Sequence, residues 1–299
     1  MKTIKQRISY AVMGLMAMGF TACTQNEDMA PTLKGQEINA TFSVGGMQTR
    51  VNTLGHGNNW EDKDKLKVRI FTDYDYDPGS TAILSFNGET WSRNSSFRWL
   101  GESDQHTILA VYPSSDDYDP SHLVYELPTN QSSLEDLKSA DLITGHWYGS
   151  PYSYVTIPMQ HRMSMVTIVY HVGTADYPNM DISEPQVYSK NTSVNFNIDQ
   201  DQRQFVMSTP SGNSDWVKAC KHDDGMFSAI VIPGSYIKDE VFLRFKIGDN
   251  IFNAKMKMPT DFEEGKRYTY KLDVGKDIVK LTRISVDDLK GWTNEDDLK

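Results

Sequence analysis

The chain has almost no cysteine: Cys23 and Cys220 are its only two in 299 residues. A disulfide framework or a cysteine-ligated zinc site needs more thiols at defined spacing, so neither organises this protein. Cys220 lies in Trp216-Val217-Lys218-Ala219-Cys220-Lys221-His222, which forms no nucleophile signature, and reads as a bystander thiol. Long apolar runs are missing as well. Beyond one short run near the N-terminus, no segment is apolar enough to cross a bilayer. Basic charge is scarce: the formal net charge is −10. Residues 1–50 hold five basic and three acidic side chains, so 51–299 carry −12. An acidic body excludes nucleic acid as a partner, because phosphate binding needs clustered Lys and Arg. Catalytic motifs are missing too. There is no Gly-x-Ser-x-Gly, no phosphate-cradling glycine loop and no pair of histidines at metal-ligand spacing. Asp73, Asp75 and Asp77 alternate as in a calcium loop, but Pro78 and Leu84 occupy the positions that need Gly and Glu. Nothing here calls for a catalytic residue, a metal or a cofactor, and the chain does not read as an enzyme. A glycosidase carboxylate pair would leave no sequence signature, since such residues meet only in the fold.

What is present begins at the N-terminus. Lys2, Lys5 and Arg7 precede an apolar run from Ala11 to Phe20, followed by Thr21-Ala22-Cys23. A positive region, a short apolar core and small residues before a boundary make a secretory signal peptide. The run is roughly half of the ~20 residues a spanning helix needs. A small-residue box ending in cysteine resembles a bacterial lipobox, which makes Cys23 the expected lipidated residue and residues 1–22 the removed signal. Acyl chains there would supply membrane affinity at about 0.8 kcal/mol per buried methylene. Residues 24–36 are polar, with Pro31 and Gly35, and read as a linker; Glu27 and Asp28 behind Cys23 resemble a surface-export signal.

The body is a succession of short β patterns. Ile38, Ala40, Phe42 and Val44 alternate with polar neighbours, giving a half-buried strand over 37–44. Alternation recurs at Leu66–Ile70, Val194–Ile198 and Tyr268–Val274. Apolar runs at His106–Tyr112, His161–Val172 and Phe227–Ile232 are bounded by Pro113 or Pro233. Asn87-Gly88 is a hairpin signal with Trp91 opening the return strand. Gln131–Leu142 is the one helical stretch. Many short strands at turn-punctuated spacing imply an all-β sandwich. Their number implies two: 51–160 and 161–299, with the break near Pro158–Met163. Trp60, Trp91, Trp99 and Trp147 offer a sugar-stacking platform, although core packing is the commoner role of Trp in such folds. His161, opening an apolar strand, reads as a satisfied core histidine.

The order of these landmarks carries a resemblance. Thr49-Arg50, Trp60-Glu61-Asp62, Ala110-Val111-Tyr112-Pro113, Ser139-Ala140-Asp141-Leu142, Ile157-Pro158-Met159-Gln160-His161-Arg162, Ile230-Val231-Ile232-Pro233 and Phe262–Tyr270 follow one another along the chain. This pattern resembles the fimbrillin-like family, the type V pilus subunits of Gram-negative bacteria. The resemblance implies two transthyretin-like Greek-key β-sandwich domains. It also implies export as an outer-membrane lipoprotein anchored through Cys23, and a cut by an Arg-specific protease between Arg50 and Val51. The cut would release residues 23–50 with the strand carrying Ile38, Ala40, Phe42 and Val44. Another fimbrial subunit would fill the vacated groove by donor-strand exchange. The C-terminal segment 278–286, with Val279, Leu281, Ile284 and Val286, is the candidate donor. A shaft subunit needs a movable C-terminal donor and a tip subunit does not, so the short charged tail after Trp292 keeps a tip or accessory role open beside the shaft one. The competing reading is a permanently anchored surface lipoprotein that binds a host glycan or protein.

Overall fold

A computed structural model describes residues 32–44, 60–72, 79–173, 181–199, 201–222, 225–275 and 279–289. Residues 1–32 and 33–299 cluster as separate units; the second holds everything below. Among the described residues are twenty strands and one helix. In chain order they are β1 (Ala40–Val44), β2 (Lys65–Thr72), β3 (Ser80–Ser85), β4 (His106–Tyr112), β5 (Leu123–Glu126), α1 (Leu134–Ser139), β6 (Ile143–Gly149), β7 (Val155–His161), β8 (Ser164–Val172), β9 (Ser183–Ser189), β10 (Ser193–Ile198), β11 (Phe205–Met207), β12 (Asp215–Lys218), β13 (Cys220–His222), β14 (Met226–Val231), β15 (Gly234–Tyr236), β16 (Val241–Ile247), β17 (Asn250–Lys255), β18 (Thr260–Phe262), β19 (Lys266–Val274) and β20 (Val279–Asp288). The protein is all-β, as the alternating patterns require. No helix among the described residues is long and apolar enough to cross a membrane.

A six-stranded sheet, ordered β1-β7-β6-β4-β2-β3, dominates the N-terminal half. Its central strand β4 is buried on both faces, which is why residues 106–112 read as an unbroken apolar run rather than an alternation. Ile108 and Ala110 join Leu66, Val68, Ile70, Leu84 and Ile157 in one apolar cluster. That cluster is closed by aromatics from irregular segments, including Trp60, Phe97 and Trp99. Leu109 and Val111 point the other way, into a second cluster shared with Leu123, Tyr125, Phe196 and Phe205. Those come from the three-stranded sheet β11-β10-β5 and its ends.

The C-terminal half faces a four-stranded sheet, β12-β9-β16-β17, with a five-stranded one, β13-β14-β8-β19-β20. Val187, Phe245 and Val217 from the first share the second cluster with Phe227, Met165 and Leu272 from the other. Buried Gln131 ties the 128–131 segment to β14. Its amide donates to the carbonyls of Pro128 (2.9 Å) and Ile230 (3.0 Å) and accepts the Ile230 N–H (2.7 Å).

Several local expectations shift. The 131–142 helix shortens to α1, capped by Ser133, whose hydroxyl accepts the Asp136 N–H. Asn87-Gly88 does turn the chain, with Gly88 at φ 90. Trp91, however, makes only an isolated bridge to Phe86, because its ring turns inward to pack on Phe42 and Trp60. The 161–172 run is two strands, broken where the Arg162 N–H donates to the Leu142 carbonyl. The Asp73–Asp77 alternation lies outside the described residues.

Candidate functional site

The strand expected over 37–44 forms as β1, at one edge of the six-stranded sheet, parallel to β7. Ala40 pairs with Val155, Phe42 with Ile157 and Val44 with Met159. Because side chains alternate along a strand, Ile38, Ala40, Phe42 and Val44 share one face. That face is the buried one: Ile38 is 4%, Phe42 1% and Val44 8% exposed, and Ala40 packs against the same cluster.

The groove is aromatic. The Phe42 ring meets Trp91 edge-on at 5.2 Å; Trp91 meets Trp60 at 5.3 Å; Trp60 meets Tyr112 at 5.2 Å. Such edge-to-face pairs suit the ring quadrupoles. The Trp60 indole N–H donates to the Phe42 carbonyl at 2.7 Å, so one side chain of the wall clamps the backbone of the strand. Tyr112 donates to Asp64 at 3.1 Å. Burial, with the Asp64 charge beside it, pushes the Tyr112 phenol far above its usual range, so it stays protonated. The stretch before β1 is stitched to residues 94–99: the Ile38 N–H donates to the Phe97 carbonyl, and the Arg98 guanidinium donates to the Gly35 carbonyl at 2.8 Å. Tyr154 donates to the Thr41 hydroxyl at 2.8 Å.

Strand β7 is built in two parts. Met159–His161 pair with β6, while Val155–Pro158 find their strand partner in β1. Pro158 belongs to that outer part. Proline lacks an N–H and is tolerated in sheets chiefly at edges, and β7 is the edge whenever β1 is absent.

The tryptophans do not form an exposed platform. Trp60 and Trp99 are buried, and Trp91 and Trp147 pack against the core. His161 is buried, its Nδ1 2.7 Å from the Asp141 carboxylate. Among the described residues no group of three His, Cys, Asp or Glu side chains could hold a metal ion. Cys220 is buried, and burial, with Asp136 nearby, pushes its thiol up, away from nucleophilic reactivity.

Of the other sequence-predicted sites, Cys23, Arg50 and Val51 lie outside the described residues. The C-terminal segment forms β20, the edge of the five-stranded sheet, antiparallel to β19. A bulge leaves Ile284 between Arg283 and Ser285, which oppose Tyr270 and Thr269. The extra residue restores the phase, so Val279, Leu281 and Val286 all lie opposite inward-facing β19 residues. Leu281 is buried, whereas Ile284 is 58% and Val286 45% exposed. Trp60, Arg98 and Pro158 as groove elements escaped the sequence reading. No local pattern announces a clamp whose partner lies far along the chain.

This is an all-β protein with an apolar groove filled by its own N-terminal edge strand. The profile of the fimbrillin-like family matches residues 49–288, and the chain belongs to that family. Its fold is shared by solved structures of two candidate cell adhesion proteins. The one from Bacteroides uniformis has TM-score 0.62 at 15% identity and the one from Bacteroides ovatus 0.61 at 14%. Each alignment covers 85% of this chain and 98% of the other. No curated protein matches the chain.

Proposed function

We propose that this protein is a structural subunit of a surface fimbrium that is exported as a lipoprotein precursor and polymerises by donor-strand exchange. Family membership supports the coarse statement, a fimbrial, adhesion-related subunit of the cell surface without enzymatic activity. The finer mechanism rests chiefly on one observation. Among the described residues, strand β1 is the last element before position 50, and it fills a groove beside Val155–Pro158, which have no other strand partner there. In this reading Cys23 carries the lipid that brings the precursor to the outer membrane, and an Arg-specific protease cuts between Arg50 and Val51. Residues 23–50 depart with Ile38, Ala40, Phe42 and Val44. The open groove is then an unpaired edge beside an apolar cleft, the arrangement that invites β-augmentation.

The donor is the C-terminal segment of another subunit. Strand β20 suits the role because Ile284 and Val286 already face solvent. A straightened donor presents Val279 and Leu281 on one face and Ile284 and Val286 on the other, so either pair fills two neighbouring slots of the groove. A head-to-tail contact of this kind does not close on itself and grows into a filament.

The test is Arg50→Ala in the producing bacterium. The variant should keep its lipid-bearing N-terminus and lose the detergent-resistant ladder of assembled subunits. Unchanged ladders with an uncut Arg50→Ala chain would refute the mechanism, and a wild-type chain that is itself uncut and forms no ladder would favour a permanently anchored surface lipoprotein.

A further inference from the structure

The four-stranded sheet β12-β9-β16-β17 buries one face in the core and turns the other to solvent. Val217, Val187, Leu243 and Ala254 face inward. Their neighbours along each strand therefore face out. Cross-strand register sets four of these in one row: Lys218 lies opposite Gln186, Gln186 opposite Arg244, and Arg244 opposite Asn253. With strands about 4.8 Å apart the row is roughly 14 Å long, longer than a single pyranose ring. Beside it Trp216 lies opposite Tyr188, the two ring centroids 5.2 Å apart.

The Arg244 guanidinium reaches across the sheet and lies 4.2 Å from the Trp216 ring centre. That stack uses the flat face of the guanidinium and occupies none of its in-plane N–H donors. Among the described residues, the Lys218, Gln186, Arg244 and Asn253 side chains make no hydrogen bond or ion pair within the chain. Local charge runs against that of the whole molecule. The four strands carry Lys218, Arg244, Lys246 and Lys255 against Glu184 and Asp215, two net positive charges in a chain of −10. Of these, Lys246 and Glu184 neutralise each other at 2.7 Å, and the Asp215 carboxylate accepts the Trp216 N–H. The flanking turns leave the balance unchanged. Asp181 pairs with Lys221 and Glu240 with Lys190, while Lys238 and Lys257 offset Asp239 and Asp249. Helix α1, with Glu135 and Asp136, packs on β14 of the opposite sheet.

We propose that this sheet face binds a linear polysaccharide built from uronic acids, laid along the row from Lys218 to Asn253. The stacked fork of Arg244 is held ready for a carboxylate, and Lys218 supplies a second positive charge along the row. Between and beyond them the Gln186 and Asn253 amides donate to and accept from sugar hydroxyls. Trp216 and Tyr188 offer ring surface to the apolar face of a pyranose. An open face, rather than a closed pocket, suits a polymer lying along it. The β1 groove belongs to a different sheet, so this binding and the assembly mechanism stand or fall separately.

The purified protein is titrated calorimetrically with hyaluronan oligosaccharides and with polygalacturonate at an ionic strength of about 0.15 M, where distant charges are screened. Dextran serves as the neutral glycan control and polyglutamate as the anionic control without sugar. Saturable binding of at least one uronate polymer is expected, with each control at least tenfold weaker. Arg244→Gln, at an exposed position, should weaken that binding by roughly tenfold or more, as befits loss of a charge-assisted contact, without a change in melting temperature. Gln186→Ala should weaken it more modestly. The proposal is overturned by no saturable binding of either polymer, by equal binding of a control, or by binding that Arg244→Gln leaves unchanged. A concentration-dependent dimer in sedimentation that Arg244→Gln abolishes would assign the face to a second copy of the chain and overturn it as well.

Discussion

Replacing Phe42 by alanine isolates the energetic role of the edge strand. Phe42 is 1% exposed, pairs with Trp91 at 5.2 Å and sits midway along β1. Truncating a buried phenylalanine costs about 3–5 kcal/mol. Three side chains, Ile38, Phe42 and Val44, dock β1 through full burial. At about 1.5–3 kcal/mol each they contribute roughly 5–9 kcal/mol before the entropy of ordering the strand is subtracted. The substitution thus removes around half of the docking energy, and the undocked strand becomes roughly a hundred- to several-thousand-fold more populated. Because β1 is an edge element, the loss should appear locally. Hydrogen exchange reads this directly: amides bonded to β1, such as the Val155 N–H that donates to the Asn39 carbonyl at 3.0 Å, lose protection by the full 3–5 kcal/mol. Amides of β8 and β14 keep theirs. Equal loss of protection in both places would show that β1 is not separable and would refute the reasoning. Loss of under about 1 kcal/mol at Val155 would refute it too.

Three further outcomes follow from particular contacts. Gln131→Ala strands the buried Ile230 N–H and carbonyl, and urea unfolding should show a loss of about 2–6 kcal/mol, the range for unsatisfied buried groups summed over two. Stability should fall as pH drops below about 6.5. Burial lowers the proton affinity of His106, whose Nε2 accepts the Leu100 and Gly101 N–H groups while its Nδ1 donates to the Asp104 carbonyl. The unfolded chain then takes the proton first, so stability is lost between the usual 6.5 and the lower folded value. His146, lowered by burial and by Arg162, acts in the same direction. Melting curves from pH 7.5 to 5 check this, and a flat profile would contradict it. Ile284→Lys, at a 58% exposed position, should leave stability within about 0.5 kcal/mol while weakening the subunit ladder. A ladder of unchanged yield would exclude Ile284 from the donor face.

The sequence made the strand positions legible where one face is wet. Alternation at Ile38–Val44, Leu66–Ile70 and Tyr268–Val274 reports which residues point inward, and the structure buries those residues. Alternation carries no information about the partner strand. The parallel pairings of β1 with β7 and of β8 with β19 therefore surfaced only in three dimensions. Doubly buried β4 looked like any apolar run, and nothing marked it as the wall between two cores. Trp91 looked like a strand opener because aromatics favour strands, yet its ring is needed beneath Phe42.

The measurement that bears most directly on the central claim is the intact mass and N-terminal sequence of the chain recovered from surface filaments. The account predicts a chain beginning at Val51, without lipid, in detergent-resistant oligomers. A chain that begins at acylated Cys23, keeps Ile38–Val44 and migrates only as a monomer would contradict it.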